Sequence, residues 1–462
     1  VFVEYERCVY HDRREGGGPD SVCQLRPARV GKGASQGDVH GENMDATYQR
    51  SKAWRIAVLL FLFMAVNFID KIVMGLLAVP MMEELKLTPT QFGMIASSFF
   101  WLFAIAGVVG GFLANRIATT GLLLTLAVIW SVCQIPLALT SSLAVFVVAR
   151  VLLGMAEGPA FPVAVHACYK WFPDAKRAVP VAAFTQGGSI GLLIAGIVIP
   201  LVTAHWGWRA NFYVLAGVGL IWSLLWMLLG GEGTVDVNEN TRTGGLAPPE
   251  IPYRKLLANP TILTCFMLHF VGYWSLALTL TWLPAYLQRG LGFGAVESGR
   301  IFAASVAISM PLCVAISWMA QWLLARGVSS RNARGRFSSA TLVVGGAAMI
   351  ALRALDLPPV VQVVLIAIAI GIAPTIYSLG PAMLAEIVPV SQRGAILAID
   401  NSIASVAGMV APLVSAHFIQ IMPGAAGYQA GFAFCGVLMV FGGLFGGLKV
   451  DPDKAMRALK LA

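Results

Sequence analysis

Apolar runs recur along most of this chain, separated by short polar joints, and each is roughly the 20 residues that a helix needs to cross a hydrocarbon core. They fall at Trp54–Val79, Gln91–Leu113, Leu122–Leu139, Leu143–Ala167, Pro180–Ala204 and Asn211–Leu229. After a polar stretch from Gly230 to Ala258 come six more, at Thr261–Leu287, Gly299–Leu324, Ser338–Leu355, Val360–Leu384, Ala395–Ile421 and Gly427–Leu448. The pattern predicts an all-α membrane protein with twelve transmembrane helices in two blocks of six, residues 54–229 and 259–449. Residues 230–258 read as a linker and 450–462 as a tail. Residues 1–53 read as an N-terminal extension, polar and Gly-rich, with no apolar core of signal-peptide length. The first methionine is Met44, so 1–43 is expected to be an upstream extension of the true start or a disordered tail.

The two blocks repeat each other. Pro173-Asp-Ala-Lys-Arg177 after the fourth run matches Pro389-Val-Ser-Gln-Arg393 after the tenth, and Pro200-Leu-Val-Thr-Ala-His205 matches Pro412-Leu-Val-Ser-Ala-His417. Order and spacing are preserved, as in parallel six-helix repeats whose substrate site lies between the halves near the bilayer midplane. Glycines four apart, at Gly107/Gly111, Gly187/Gly191 and Gly442/Gly446, are expected to let helix backbones approach closely.

Composition agrees with a bilayer. Of 462 residues, 58% are hydrophobic and 12% charged, about half the charged fraction of a soluble domain. The net charge of +9 is explained by basic residues in cytoplasmic joints without invoking nucleic acid. Residues such as Lys170, Lys176, Arg177, Arg331, Arg334, Arg336 and Arg393 lie on one side, and only Lys86, Arg209, Arg289, Arg300 and Arg353 on the other. This bias puts both termini and the linker in the cytoplasm, with the chain multi-pass in an inner (cytoplasmic) membrane. The seven cysteines are scattered without metal-ligand spacing, and no cofactor is implied.

Ionisable groups inside spans are costly and mark function by default. The first span holds Asn67, Asp70 and Lys71; Asn67 and Lys71 share a helix face, with Asp70 beside it. The fourth holds Arg150, Gly154 and Glu157 on one face, and Gly154 is expected to leave a gap where a ligand or water lies against the backbone. The competing reading is a pair of salt bridges, Asp70 to Arg150 and Lys71 to Glu157, that only stitches helices. Burying four charges for that purpose is a poor route to stability. An anion drawn to Lys71 and Arg150 weakens their hold on the carboxylates and favours proton uptake there, so substrate and proton binding assist each other. Asp70 and Glu157 are therefore the proton-coupling candidates. Lys71, Arg150, Asn67, Tyr273 and Asn401 are the substrate-binding candidates. His269 and Trp274 read as packing or interface groups more than cavity lining. Asp400 is left open between solvent-filled space and a third proton site, and Glu386 and His166 read as hydrated span ends. Trp101, Phe103 and Trp282 read as structural or lipid-facing.

At these residues the chain resembles the major facilitator superfamily and, within it, the anion:cation symporter family, over nearly all of 54–449. The pieces are Arg150-Val-Leu-Leu-Gly154-Met-Ala-Glu157-Gly158 with Pro162, the Lys170-Trp-Phe-Pro173 to Arg177 loop, Trp206-Gly-Trp-Arg209 to Phe212, and Trp282-Leu-Pro-Ala-Tyr286-Leu. The resemblance implies alternating access by rocking halves, with Asp70 and Glu157 at proton-coupling positions and Lys71 and Arg150 at carboxylate-binding ones. The chain departs from the family pattern at Lys71, which stands where arginine is usual and so offers a point charge instead of a bidentate fork. Phe68 and Phe103 stand where tyrosines are common, and Gly111-Phe-Leu-Ala-Asn115-Arg116 lacks the usual aspartate and basic pair. The less polar pocket favours an aromatic or aliphatic carboxylate over a sugar acid.

The function expected is proton-coupled uptake of a small organic anion by a monomer, its partners being the anion, protons and the bilayer. The alternatives are an exporter of hydrophobic drugs or metabolites on the same scaffold, and a non-transporting ligand sensor. An enzyme is not expected, because no nucleophile–base pairing is present.

Overall fold

The computed structural model describes residues 49–459 apart from 115, 174–175, 234 and 236–250. The extension over 1–48 and most of the expected linker lie outside the described residues. Twelve helices among the described residues are long and apolar enough to cross a membrane: α1 Arg50–Leu76, α2 Pro89–Ala114, α3 Thr119–Leu139, α4 Leu143–Tyr169, α5 Ala178–Trp206, α6 Trp208–Leu229, α7 Pro260–Thr281, α8 Ala295–Ala325, α9 Arg331–Ala354, α10 Pro359–Ile387, α11 Ser391–Ile421 and α12 Ala425–Lys449. The chain is an all-α, multi-pass membrane protein.

Several spans are broken, which the apolar pattern alone does not register. In α2, Ser97 and Ser98 donate to the carbonyls of Met94 and Ile95, and the backbone tightens to i→i−3 bonds at Phe100 and Trp101; such back-bonding bends helices. In α4, Pro159 has no N–H to offer and the helix divides between Glu157 and Ala160. In α10 a 3₁₀ turn at Ala373–Thr375 contains Pro374. Span starts follow the expected chemistry. Thr88 and Gln91 form a reciprocal capping box on α2, and Asn259 accepts from the first N–H groups of α7, with Pro260 at the first turn.

Within α1–α6 the principal packings are α1 on α5 and α3 on α6; within α7–α12 they are α9 on α12 and α7 on α11. In lipid such pairs gain little from hydrophobic burial and depend on close backbone approach. A Cβ at Gly187 or Gly191 would strike the carbonyls of Phe61 or Ala65 on α1. Gly107, Gly442 and Gly446 also face neighbours, whereas Gly111 has open space around it, so that position is not a close contact.

Three helix pairs join the two sets: α2 with α11, α5 with α8 and α1 with α7. The repeated prolines lie in two of these seams, Pro412 against Gly93 and Pro200 against Gly299, while Gly75 lies against the carbonyl of Leu280. At the same end Glu83 meets Arg289 at 2.9 Å and the Thr90 hydroxyl donates to Gln420. The repeated arginines also play matching parts, Arg177 donating to the carbonyl of Phe172 at 2.8 Å and Arg393 to that of Val388 at 3.1 Å. Beyond α12 the chain does not simply trail away. Asp451 caps a short helix, Pro452–Ala458, and pairs with Arg331 at 3.0 Å.

Candidate functional site

The break in α2 and the glycines of α4 build the first site. A Cβ at Gly154 would lie 1.7 Å from the Phe99 carbonyl, and one at Gly158 would lie 2.2 Å from that of Phe103. The two helices therefore cross backbone to backbone. The gap expected at Gly154 is filled by the α2 backbone at Phe99 and admits neither ligand nor water. The crossing sets the Arg150 guanidinium 4.6 Å from the centre of the Phe99 ring, and it brings Phe103 beside α1.

On α1 the expected face is present. The Lys71 ammonium donates to Asn67 Oδ1 at 2.5 Å, and Asn67 Nδ2 donates to Glu157 Oε2 at 2.9 Å. Lys71 and Glu157 stand 3.8 Å apart. The ammonium also lies 4.6 Å from the Phe68 ring centre and 5.3 Å from that of Phe103. Phe103 is thus a buried wall of the site, not a lipid-facing ring. Arg150 donates to the main-chain carbonyl of Asp70 at 3.4 Å, and no ion pair joins the Asp70 carboxylate to Arg150 among the described residues. Only half of the stitching arrangement exists. Asp70 Oδ1, Glu157 Oε1 and Arg150 Nε are buried without hydrogen-bond partners. Lys71 is the member that reaches solvent, with 10% of its side chain exposed.

Gln134 escaped the sequence reading. It is fully buried on α3, beside Asp70, yet neither end of its amide completes a hydrogen bond. The available signal was a lone amide in an otherwise apolar run.

In the other half, α7 and α11 bring His269 Nδ1 within 2.6 Å of Asp400 Oδ2, both residues buried. His269 packs edge-on to Tyr377, which the sequence reading also missed, at 4.9 Å between ring centres. Tyr273, one turn along α7, meets Phe100 of α2 edge-on at 5.9 Å and so belongs to the seam between the halves. Trp274 turns instead toward Phe434 on α12. Asn401 is exposed, on the α11 face that it shares with Gly408, where an added Cβ would lie 2.7 Å from the Phe100 ring. Trp282 is buried and donates to the Pro412 carbonyl at 3.0 Å, whereas Trp101 is exposed. Glu386 is not merely hydrated: it accepts from Ser330 and Arg334 at 2.7 and 2.9 Å.

Twelve membrane helices, built from two repeats with ionisable groups buried beside their seam, define the class as a multi-pass membrane protein of transporter architecture. The Major Facilitator Superfamily model matches residues 58–375, and the chain belongs to that superfamily. It is similar to a probable chloroplastic anion transporter 4 of Oryza sativa subsp. japonica, 29% identical over 62% of this chain and 50% of the relative. It is also similar to a hexuronate transporter of Bacillus subtilis (strain 168), 30% identical over 51% of this chain and 58% of the relative. The chain thus spans about half the length of these curated relatives. Among solved structures, a bacterial homolog of the human lysosomal transporter Spinster, in an inward-facing and unoccupied conformation, superposes with a TM-score of 0.69. It is 17% identical and covers 89% of this chain and 99% of its own, a likeness of fold.

Proposed function

We propose that this chain is a secondary active transporter that takes up a small organic carboxylate together with protons, by alternating access, as in the anion:cation symporter branch of the superfamily. One observation carries the reading: Lys71, Asn67 and Glu157 form a continuous chain from a partly exposed cation to a buried carboxylate. A carboxylate entering at Lys71 competes with Glu157 for the ammonium, so the anion weakens the interaction that keeps Glu157 ionised. Protonation of Glu157 then follows from binding, and the linkage is reciprocal. Arg150, held over Phe99, supplies the second cation, and Asp70 the second carboxylate. Phe68 and Phe103 around the ammonium favour a carboxylate with an apolar or aromatic body. Two cations at the site argue against export of cationic drugs.

The seams closed around Gly75, Gly93 and Gly299 fit a state shut at the end that bears Glu83 and Arg289. With the basic joints facing the cytoplasm, that end is the outer one. Residues 54–229 and 259–449 would then rock as two bodies about the substrate, in a cell inner membrane with both termini cytoplasmic. Relatives named as anion and hexuronate transporters support the anionic cargo, and one named as sodium-dependent makes the coupling ion part of the test.

The experiment is uptake into proteoliposomes of a panel of radiolabelled carboxylates under an imposed proton gradient, with a sodium-gradient arm and the membrane potential clamped at zero. Accumulation driven by the proton gradient is expected. Glu157→Gln and Asp70→Asn should lose it while still binding the carboxylate. Accumulation that persists after the proton gradient is collapsed would remove proton coupling from the reading.

A further inference from the structure

Proton coupling as argued above engages only the first half, yet the second half contains a buried ionisable pair of its own. His269 and Asp400 meet at 2.6 Å on facing helices, in packing that is otherwise mostly apolar. Asp400 Oδ1 has no partner, and no lysine, arginine or second carboxylate pairs with either group among the described residues. The titratable groups nearby are Cys265 and Tyr273 on α7, Tyr377 on α10 and, behind Tyr377, Cys435 on α12. None is a cation that could balance a bare carboxylate. With two protons the pair carries +1, with none it carries −1, and with one it is neutral. A low-dielectric site with no counter-ion disfavours either net charge. The pair is therefore a site for one proton, whichever of the two groups holds it.

We propose that the His269–Asp400 pair is a second coupling site, which binds one proton in the second half and moves it with each transported anion. The location supports transport over mere stitching. His269 and Tyr273 lie on one face of α7, and Tyr273 touches Phe100 across the seam. On the same helix the Leu280 carbonyl closes on Gly75 of α1. Parting of this seam is what exposes the pair to water, so its proton exchanges with one bulk phase when the seam is open and is trapped when it closes. No bond is made or broken except an N–H bond of the His269 imidazolium: its Nε2 proton leaves to water while the Nδ1–H stays hydrogen-bonded to Asp400 Oδ2.

The proposal rests on proton-coupled uptake, and one measurement separates the two. In proteoliposomes with a one-unit pH gradient and zero membrane potential, each coupled proton multiplies the limiting accumulation ratio about tenfold. With one proton counted for the Asp70–Glu157 cluster as a unit and one for the His269–Asp400 pair, the wild type reaches a limit of about 100. The double variant His269→Gln with Asp400→Asn, which keeps an uncharged hydrogen-bonding pair, should fall to about 10. A wild-type limit of about 10, or a double variant that retains the wild-type limit, overturns the second site and leaves proton-coupled uptake standing. No accumulation by the wild type overturns the uptake reading and this inference with it. Should the double variant fail to elute as a monodisperse protein, Asp400→Asn alone carries the test, a tenfold lower limit supporting the second site and an unchanged limit overturning it.

Discussion

The two halves carry their buried charge in different ways. The α1–α4 cluster has two cations and two carboxylates, one member reaching water, and several hydrogen-bonding atoms left open. The α7–α11 pair has one acid and one imidazole, both buried. The first arrangement has excess bonding capacity, so an incoming anion changes which groups are paired. The second, on the proposal made for it, responds by gaining or losing a proton. On the proposed reading, ligand recognition belongs to the first, and the second is suited to sensing which side of the membrane is open.

The largest expected break in this comparison is Arg150→Ala. The guanidinium lies buried on Phe99 and supplies half of the positive charge beside Asp70 and Glu157. Its removal leaves carboxylates uncompensated, a change that typically costs about 3–5 kcal/mol. Carboxylate binding should be lost, and thermal unfolding in detergent should show the destabilisation. Arg150→Lys should recover part of the stability, because charge is kept while planar geometry is lost. Binding unchanged in Arg150→Ala would move the anion site away from the first half.

Gly154→Ala comes next and tests the crossing rather than the charge. The added methyl meets a backbone carbonyl that has no rotamer through which to yield. Overpacking of this kind typically costs about 1–3 kcal/mol. The separation of α2 from α4 also lifts Phe99 away from Arg150, so carboxylate affinity should fall although no charged group has changed. Gly111→Ala, with open space at that position, is the control and should leave both stability and affinity near the wild type.

How much of this was legible in the sequence follows from the range of each interaction. The twelve spans were readable because hydrophobic length is a local property. Lys71, Asn67 and Glu157 were readable because helical spacing puts each set on a face, and the repeat indicated where the faces meet. The partner of Gly154 was not, since a carbonyl belongs to every residue and leaves no mark in the sequence. His269 and Asp400 are 131 residues apart, and a lone histidine on an apolar helix has no spacing rule that names its partner. The breaks in α2 and α4 depend on Ser97, Ser98 and Pro159, and were outweighed by hydropathy averaged over a whole span.

Gln134 gives a smaller effect that sharpens the division between halves. Its amide is buried facing Asp70, without a hydrogen bond of full geometry at either end. Gln134→Leu removes two polar atoms that gain little from burial, so stability should change by less than about 1.5 kcal/mol. Accumulation under a proton gradient should nevertheless fall, while carboxylate affinity, set by Lys71 and Arg150, should hold. An equal loss of affinity and accumulation would place Gln134 in the anion site.

The smallest effect lies outside the membrane, where the chain leaves α6. Glu232 accepts from the main-chain N–H groups of Thr119 and Thr120 at 3.1 and 2.9 Å, from both threonine hydroxyls, and from Lys170. Burial opposes its ionisation, but the bonds from Lys170, Thr120 and Thr119 prevail and bring its pKa down from 4.5 to about 2. A depressed carboxylate adds stability that is fully present above its unfolded pKa and is lost as pH falls through its folded one. The attachment should therefore be constant from neutrality to pH ~5 and weaken toward pH ~2. Trp171, whose indole donates to the Gly231 carbonyl at 3.2 Å, reports it by fluorescence. Glu232→Gln should remove the acid-dependent change and, because the group is partly solvent-screened, cost no more than about 1 kcal/mol at neutral pH. Uptake by the first half should be unaffected, and an acid-dependent Trp171 signal that survives Glu232→Gln would place the anchor of this segment elsewhere.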